Sequence, residues 1–186
     1  MITDRDYKVI DFLNDYKIAT TSTLEHFFYP SKRVAQRRLK ALVDEKYIKK
    51  SRDSINQDYY YYLKKPKQLK HSLLITEFYR EFSKCYKMEH FKVQKKIDNL
   101  IPDATIGYVD GNRNKVAFLE VEISNNGFNY QKYRHFNYKK YFNIMPPVFI
   151  VTRQHIKQDK NINFIQIRDI KTDLERIYYH ERKNEF

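Results

Sequence analysis

The sequence predicts an α/β protein (α+β overall) in two parts, a helical unit closed by a β-hairpin over residues 1–66 and an α/β unit over residues 68–186. Three observations carry this. Apolar residues recur at helical spacing as far as Lys46 and then give way to two short strand-like runs parted by a polar turn. Pro66 interrupts the chain just after them. Beyond it the order reads helix, three strands, helix, strand, and 186 residues suffice for two compact units.

In the first part, Thr3 is placed to cap a helix with Asp6 three residues on, and Val9, Ile10, Leu13 and Tyr16 follow at helical spacing, so the first helix spans 4–16. After a short turn, Thr21-Ser22 opens a second helix through Leu24, Phe27 and Phe28 that Pro30 stops. Ser31 caps a third, running to about Lys46. Its Ala35, Leu39 and Leu42 form an apolar stripe, while Lys32, Arg33, Gln36, Arg37 and Lys40 project from the other side. Tyr47–Lys50 reads as a strand, Ser51–Asn56 as a turn and Asp58–Leu63 as a tyrosine-rich partner strand whose alternate rings pack inward.

Charge is distributed unevenly. The chain carries a net +13, yet Thr3–Pro30 is net −2 and Ser31–Arg52 is net +7, with nine cations against Asp44 and Glu45. A local patch of this density points to an anionic partner. A helix fits the DNA major groove, where Arg, Lys and Gln meet phosphates and base edges. Lys32, Arg33, Gln36, Arg37 and Lys40 on the helix, with Lys49, Lys50 and Arg52 on the hairpin, are therefore the expected DNA contacts, and they need no cofactor. Helix, helix, basic helix, hairpin resembles the winged helix-turn-helix family, with residues 31–52 as recognition helix and wing.

In the second part, Leu73, Leu74, Phe78, Phe82 and Tyr86 predict a helix over 69–87. Strands follow at 88–94, 104–109 and 115–123, then a helix at 128–142, strands at 147–152 and 162–167, and a helix at 170–180. Asp110-Gly111 suits a tight turn, making 104–109 and 115–123 an antiparallel hairpin; the strand at 147–152 joins by a crossover. Pro102-Asp103 opens one strand, Phe118-Leu119-Glu120-Val121-Glu122 lies in the next, and the following helix carries Lys132, Lys139 and Lys140. In that order these motifs resemble the PD-(D/E)xK nuclease superfamily. With the preceding helices, nearly the whole chain resembles the replication-relaxation family of plasmid and phage proteins.

The resemblance implies catalytic roles for Asp103, Glu120, Glu122 and Lys132. Alternation along a strand sets Glu120 and Glu122 on one face, and with Asp103 they would offer oxygen ligands to Mg²⁺ or Mn²⁺. Lys132 would stabilise developing negative charge. The superfamily's usual lysine is replaced by Glu122, which predicts weak or absent cleavage, although some restriction endonucleases resemble this arrangement and remain active. A working nuclease, a site that keeps its acids without turnover, and a scaffold all stay open. The leading expectation is a DNA-binding protein of a bacterial plasmid or phage that assists replication, relaxation or DNA processing. The alternatives are an active metal-dependent endonuclease and a transcription regulator whose second domain dimerises. Implied partners are DNA, replication or relaxosome proteins and a second copy of the chain.

Several classes are excluded. Three glycines supply neither a dinucleotide fingerprint nor a P-loop. Lone Cys85 forms no internal disulfide or thiolate cluster, and six histidines include no i, i+4 zinc pair. The run Tyr59-Tyr60-Tyr61-Tyr62 lacks the metal-binding histidine cluster a relaxase-type nucleophile needs. No apolar run approaches the ~20 residues of a membrane span, and the acidic N-terminus is unlike a secretory signal, so a cytoplasmic location without membrane contact is expected.

Overall fold

The computed structural model describes residues 2–52, 58–124 and 128–183. The fold is mixed, with six α-helices and two β-sheets among those residues. It divides into two compact units, Met1–Arg80 and Glu81–Phe186. The division falls within the helix at Leu69–Cys85.

Unit 1 opens with α1 (Asp4–Tyr16), capped by Thr3 in a reciprocal capping box with Asp6. Helices α2 (Thr21–Phe28) and α3 (Lys32–Asp44) follow, capped by Thr20 and Ser31. Their sheet has the order β1-β3-β2, with β1 at Ala19–Thr20, β2 at Lys49–Arg52 and β3 at Tyr59–Tyr62, all antiparallel. Strand β1 is too short to announce itself in the sequence; it exists because Ala19 and Thr20 pair with Tyr61 and Tyr60. Strand β2 starts later than expected because Tyr47 and Ile48 donate their amides to Leu42 O, closing the end of α3. Most of the expected hairpin turn lies outside the described residues.

The core of unit 1 gathers Val9, Phe12 and Leu13 of α1, Leu24 of α2, Ala35, Leu39 and Leu42 of α3, then Ile48 and Tyr61. Phe12 meets the rings of Phe27 and Phe28 at 5.4 Å, and Tyr79 stacks on Phe12 at 6.3 Å. Within β3 the tyrosines do not alternate as expected: adjacent Tyr60 and Tyr61 are both buried, and Tyr59 is exposed.

Helix α4 spans Leu69–Cys85. Unit 2 holds a sheet of order β4-β5-β6-β7-β8, formed by Lys87–Val93, Ala104–Asp110, Arg113–Val121, Val148–Val151 and Phe164–Ile167. The first three pair antiparallel and the last three parallel, so the hairpin and the crossover are as the sequence predicts. Gly111 takes φ 56° in the hairpin turn. Gly107 permits a close approach, since a Cβ there would meet the His90 ring at 2.3 Å.

Aromatic layers cover both sheet faces. On one side Phe82 and Tyr86 pack on Tyr108, Phe82 also meets Phe149, and Tyr178 of α6 (Ile170–Lys183) lies 5.2 Å from Tyr86. On the other, Phe118, Val148, Ile150 and Phe164 lie under Tyr133 and Phe136.

The expected helix over 128–142 does not form. The segment holds only the single-turn α5 (Gln131–Arg134) and a 3₁₀ turn at Tyr138–Lys140, parted by Asn137 at φ −79°, ψ 74°. Core packing overrides the helical spacing, because Tyr133, Phe136 and Phe142 all converge on Phe118, at 6.0, 6.1 and 5.9 Å. Positions 133, 136 and 142 of a straight helix would not surround one ring. Among the described residues no helix is long and apolar enough to cross a membrane.

Candidate functional site

Two clusters carry candidate chemistry, one in each unit. On α3 the buried stripe Ala35, Leu39 and Leu42 leaves Lys32, Arg33, Gln36, Arg37 and Lys40 exposed. Their spacing sets 32, 36 and 40 in one row and 33 and 37 in the next, so the five share a face. On β2, Lys49, Lys50 and Arg52 are exposed as well. Lys50 and Arg52 flank the exposed Tyr59 ring, at 5.2 and 5.5 Å from its centre.

One of the nine cations counted in this patch has another task. Arg38 points inward to Asp6, whose side chain is fully buried: its Nε donates to Asp6 Oδ1 at 2.8 Å and its Nη2 donates to Oδ2. Thr3 adds its amide, at 2.7 Å, and its hydroxyl to the same Oδ2. Arg38 and then Thr3 hold the Asp6 carboxyl down at about 2, against the pull of burial. Arg38 thus fastens α3 to α1, with its Nε and Nη2 both committed to Asp6.

In unit 2 the fold brings together three of the four catalytic candidates. Glu120, near the end of β6, is buried. Its Oε1 accepts from Lys132 Nζ at 2.7 Å and from the Tyr133 hydroxyl. Asp103, just before β5, accepts the Val121 amide through Oδ2 at 2.8 Å. Burial pushes the Glu120 carboxyl up to about 6; Lys132 opposes the rise and the charge of Asp103 adds to it. Burial likewise pushes the Tyr133 phenol well above its ordinary range, and the charge of Glu120 adds to the effect.

Glu122 is not brought into this group. Strand β6 ends at Val121, so the alternation that would align Glu122 with Glu120 stops one residue short. The Glu122 amide donates to Val151 O, and its carboxylate accepts from the Ser124 amide and hydroxyl. Among the described residues no group of three or more His, Cys, Asp or Glu side chains is gathered to hold a metal ion. With Glu122 turned to Ser124, Asp103 and Glu120 leave two carboxylates at this place, which do not by themselves make the expected three-carboxylate site for Mg²⁺ or Mn²⁺.

Tyr133 belongs to none of the motifs that mark the carboxylate group in the sequence. A signal was present: a buried tyrosine hydroxyl needs a partner, and Tyr133 lies beside Lys132 on a segment that packs over Glu120. The resulting carboxylate, neutral for part of the time near neutral pH, is able to accept or release a proton, and it also ties α5 to the sheet. Comparisons with models of protein families, with curated proteins and with solved structures give no match to this chain.

Proposed function

We propose that Met1–Arg80 binds duplex DNA as a winged helix-turn-helix, within a plasmid or phage DNA-binding protein that assists replication or DNA processing. One observation carries the reading. The exposed face of α3 presents Lys32, Arg33, Gln36, Arg37 and Lys40 without an acid among them, over a buried apolar stripe. Three helices with a sheet of order β1-β3-β2 support it, with α3 in the major groove and the paired strands β2 and β3 in the wing. Lys49, Lys50 and Arg52 then meet phosphates beside the helix. Arg37→Ala tests this by fluorescence anisotropy on a panel of duplexes. If Arg37 reads guanine it costs about 1–3 kcal/mol on preferred sequences and relaxes preference. Equal loss on every sequence makes it a phosphate contact; no loss removes Arg37 from the interface.

A second reading, a PD-(D/E)xK-like endonuclease in Glu81–Phe186, draws support from the meeting of Asp103, Glu120 and Lys132. Metal chemistry there would rest on Asp103 and Glu120 alone. With Glu120 neutralised by Lys132 and Glu122 turned to Ser124, nicking of supercoiled plasmid in Mg²⁺ or Mn²⁺ is expected to be weak or absent. Robust nicking that Glu120→Gln abolishes would put this reading first.

A further inference from the structure

The wall of unit 2 that replaces the expected long helix has a composition unlike the rest of the chain. From Phe128 to Gln158 there are six cations (Lys132, Arg134, Lys139, Lys140, Arg153 and Lys157), eight Phe or Tyr residues and no Asp or Glu. A cleft of about 540 Å³ opens along this segment. Tyr133, Phe136 and Tyr138 line it together with Gln158, Lys160 and Asn161. Asp159, the one acid among the lining residues, is committed: Arg134 Nε donates to its Oδ2 at 2.7 Å and the Asn161 amide donates to Oδ1 at 2.9 Å. These contacts lower its carboxyl, the Asn161 amide most and Arg134 next. That pairing fastens the 159–161 turn to α5.

Next to the cleft, Tyr141 is exposed and stacks nearly parallel on Phe136, at 6.1 Å and 8°. Lys140 Nζ lies 5.3 Å from the Tyr141 ring centre, and Lys139 is exposed beside it. A cleft of this size holds a small planar group. Aromatic walls accept the face of a base, side-chain amides can meet its polar edge, and nearby lysines neutralise phosphates, which is the combination that binds unpaired strands. Base pairs inside a duplex could not enter, because their faces are stacked.

We propose that this cleft takes an unpaired nucleobase of single-stranded DNA, with Tyr138 as the stacking wall, Asn161 and Gln158 Oε1 at the base edge, since Gln158 Nε2 donates to Phe164 O, and Lys139, Lys140 and Lys160 toward the backbone. The site uses none of the residues of the duplex-binding surface of unit 1, and it shares Tyr133 with the Glu120 cluster. It rests on the DNA-binding reading only in naming DNA, rather than RNA, as the strand.

The test is fluorescence anisotropy of the full chain with a labelled 12-nucleotide oligothymidylate and, separately, a labelled duplex. Tyr138→Ala and Lys160→Glu should each weaken oligothymidylate binding about tenfold and leave duplex affinity unchanged, while Tyr138→Phe, which keeps the ring, should retain it. Arg33→Ala with Arg37→Ala should do the reverse. The proposal is overturned if oligothymidylate fails to bind, if it responds only to the α3 variant, if Tyr138→Phe loses as much as Tyr138→Ala, or if oligouridylate binds more tightly. Loss of duplex binding alone would remove the reading of unit 1 and leave this one standing.

Discussion

Asp6 in unit 1 and Glu120 in unit 2 are both buried carboxylates next to a cation, and their environments drive them in opposite directions. Asp6 receives two donors from the Arg38 guanidinium and two from Thr3, and sits at about 2. Glu120 receives one ammonium and one phenol, lies near a second carboxylate, Asp103, and sits at about 6. Burial costs each of them; the number and charge of the donors decide which side wins. Asp6 is a pin that is saturated with partners, while Glu120 keeps an affinity for a proton near neutral pH. A buried acid of the second kind is the better candidate for chemistry, and one of the first kind for structure.

The largest expected effect comes from breaking the pin. Arg38→Met leaves Asp6 buried without its charged partner and should lower the unfolding free energy at pH 7 by about 3 kcal/mol, as urea denaturation followed by circular dichroism would measure. A loss under about 1 kcal/mol would mean that Asp6 is reached by water and that the two carboxylates do not differ as described.

The pH dependence gives a sharper comparison. Depressed Asp6 contributes stability that is present above its ordinary value of 3.8 and is lost as pH falls through that value toward 2. Raised Glu120 does the opposite: its contribution is full below 4.5 and is lost as pH rises through 6. Each amounts to about 2 kcal/mol. Glu120→Gln should therefore erase a decline in stability between about pH 4.5 and 7 that the unaltered chain shows. Parallel curves for the two proteins across that range would contradict the assignment.

The smallest effect concerns the cap. Thr3→Ala removes an α1 cap and one donor to Asp6, and should cost about 1 kcal/mol by the same denaturation measurement. Thr3→Ser, which keeps the hydroxyl, should recover most of that loss.

Local chemistry was readable and long-range pairing was not. Caps at Thr3 and Ser31, the stop at Pro30 and the basic face of α3 depend on neighbours within a few residues, and each is found at its expected place. Arg38 looked like any other cation of the patch because its partner is 32 residues away. The two-residue β1 has meaning only through its pairing with β3. The aromatic spacing at 128–142 satisfied a helix and was overruled by the demands of Phe118. In the carboxylate group, only the family resemblance sets Lys132 beside Glu120, and the end of β6 at Val121, which releases Glu122, is a boundary of one residue.

The central claim, that the exposed face of α3 and β2 binds duplex DNA while Arg38 does not take part, is tested most directly by the salt dependence of binding. If about six of Lys32, Arg33, Arg37, Lys40, Lys49, Lys50 and Arg52 meet phosphates, log affinity plotted against log salt should fall with a slope of roughly −5. Lys40→Ala should make that slope shallower by about one, and Arg38→Met, studied at a temperature where it is folded, should leave it unchanged. A flat salt dependence, or a slope that responds to Arg38 and not to Lys40, would contradict the account.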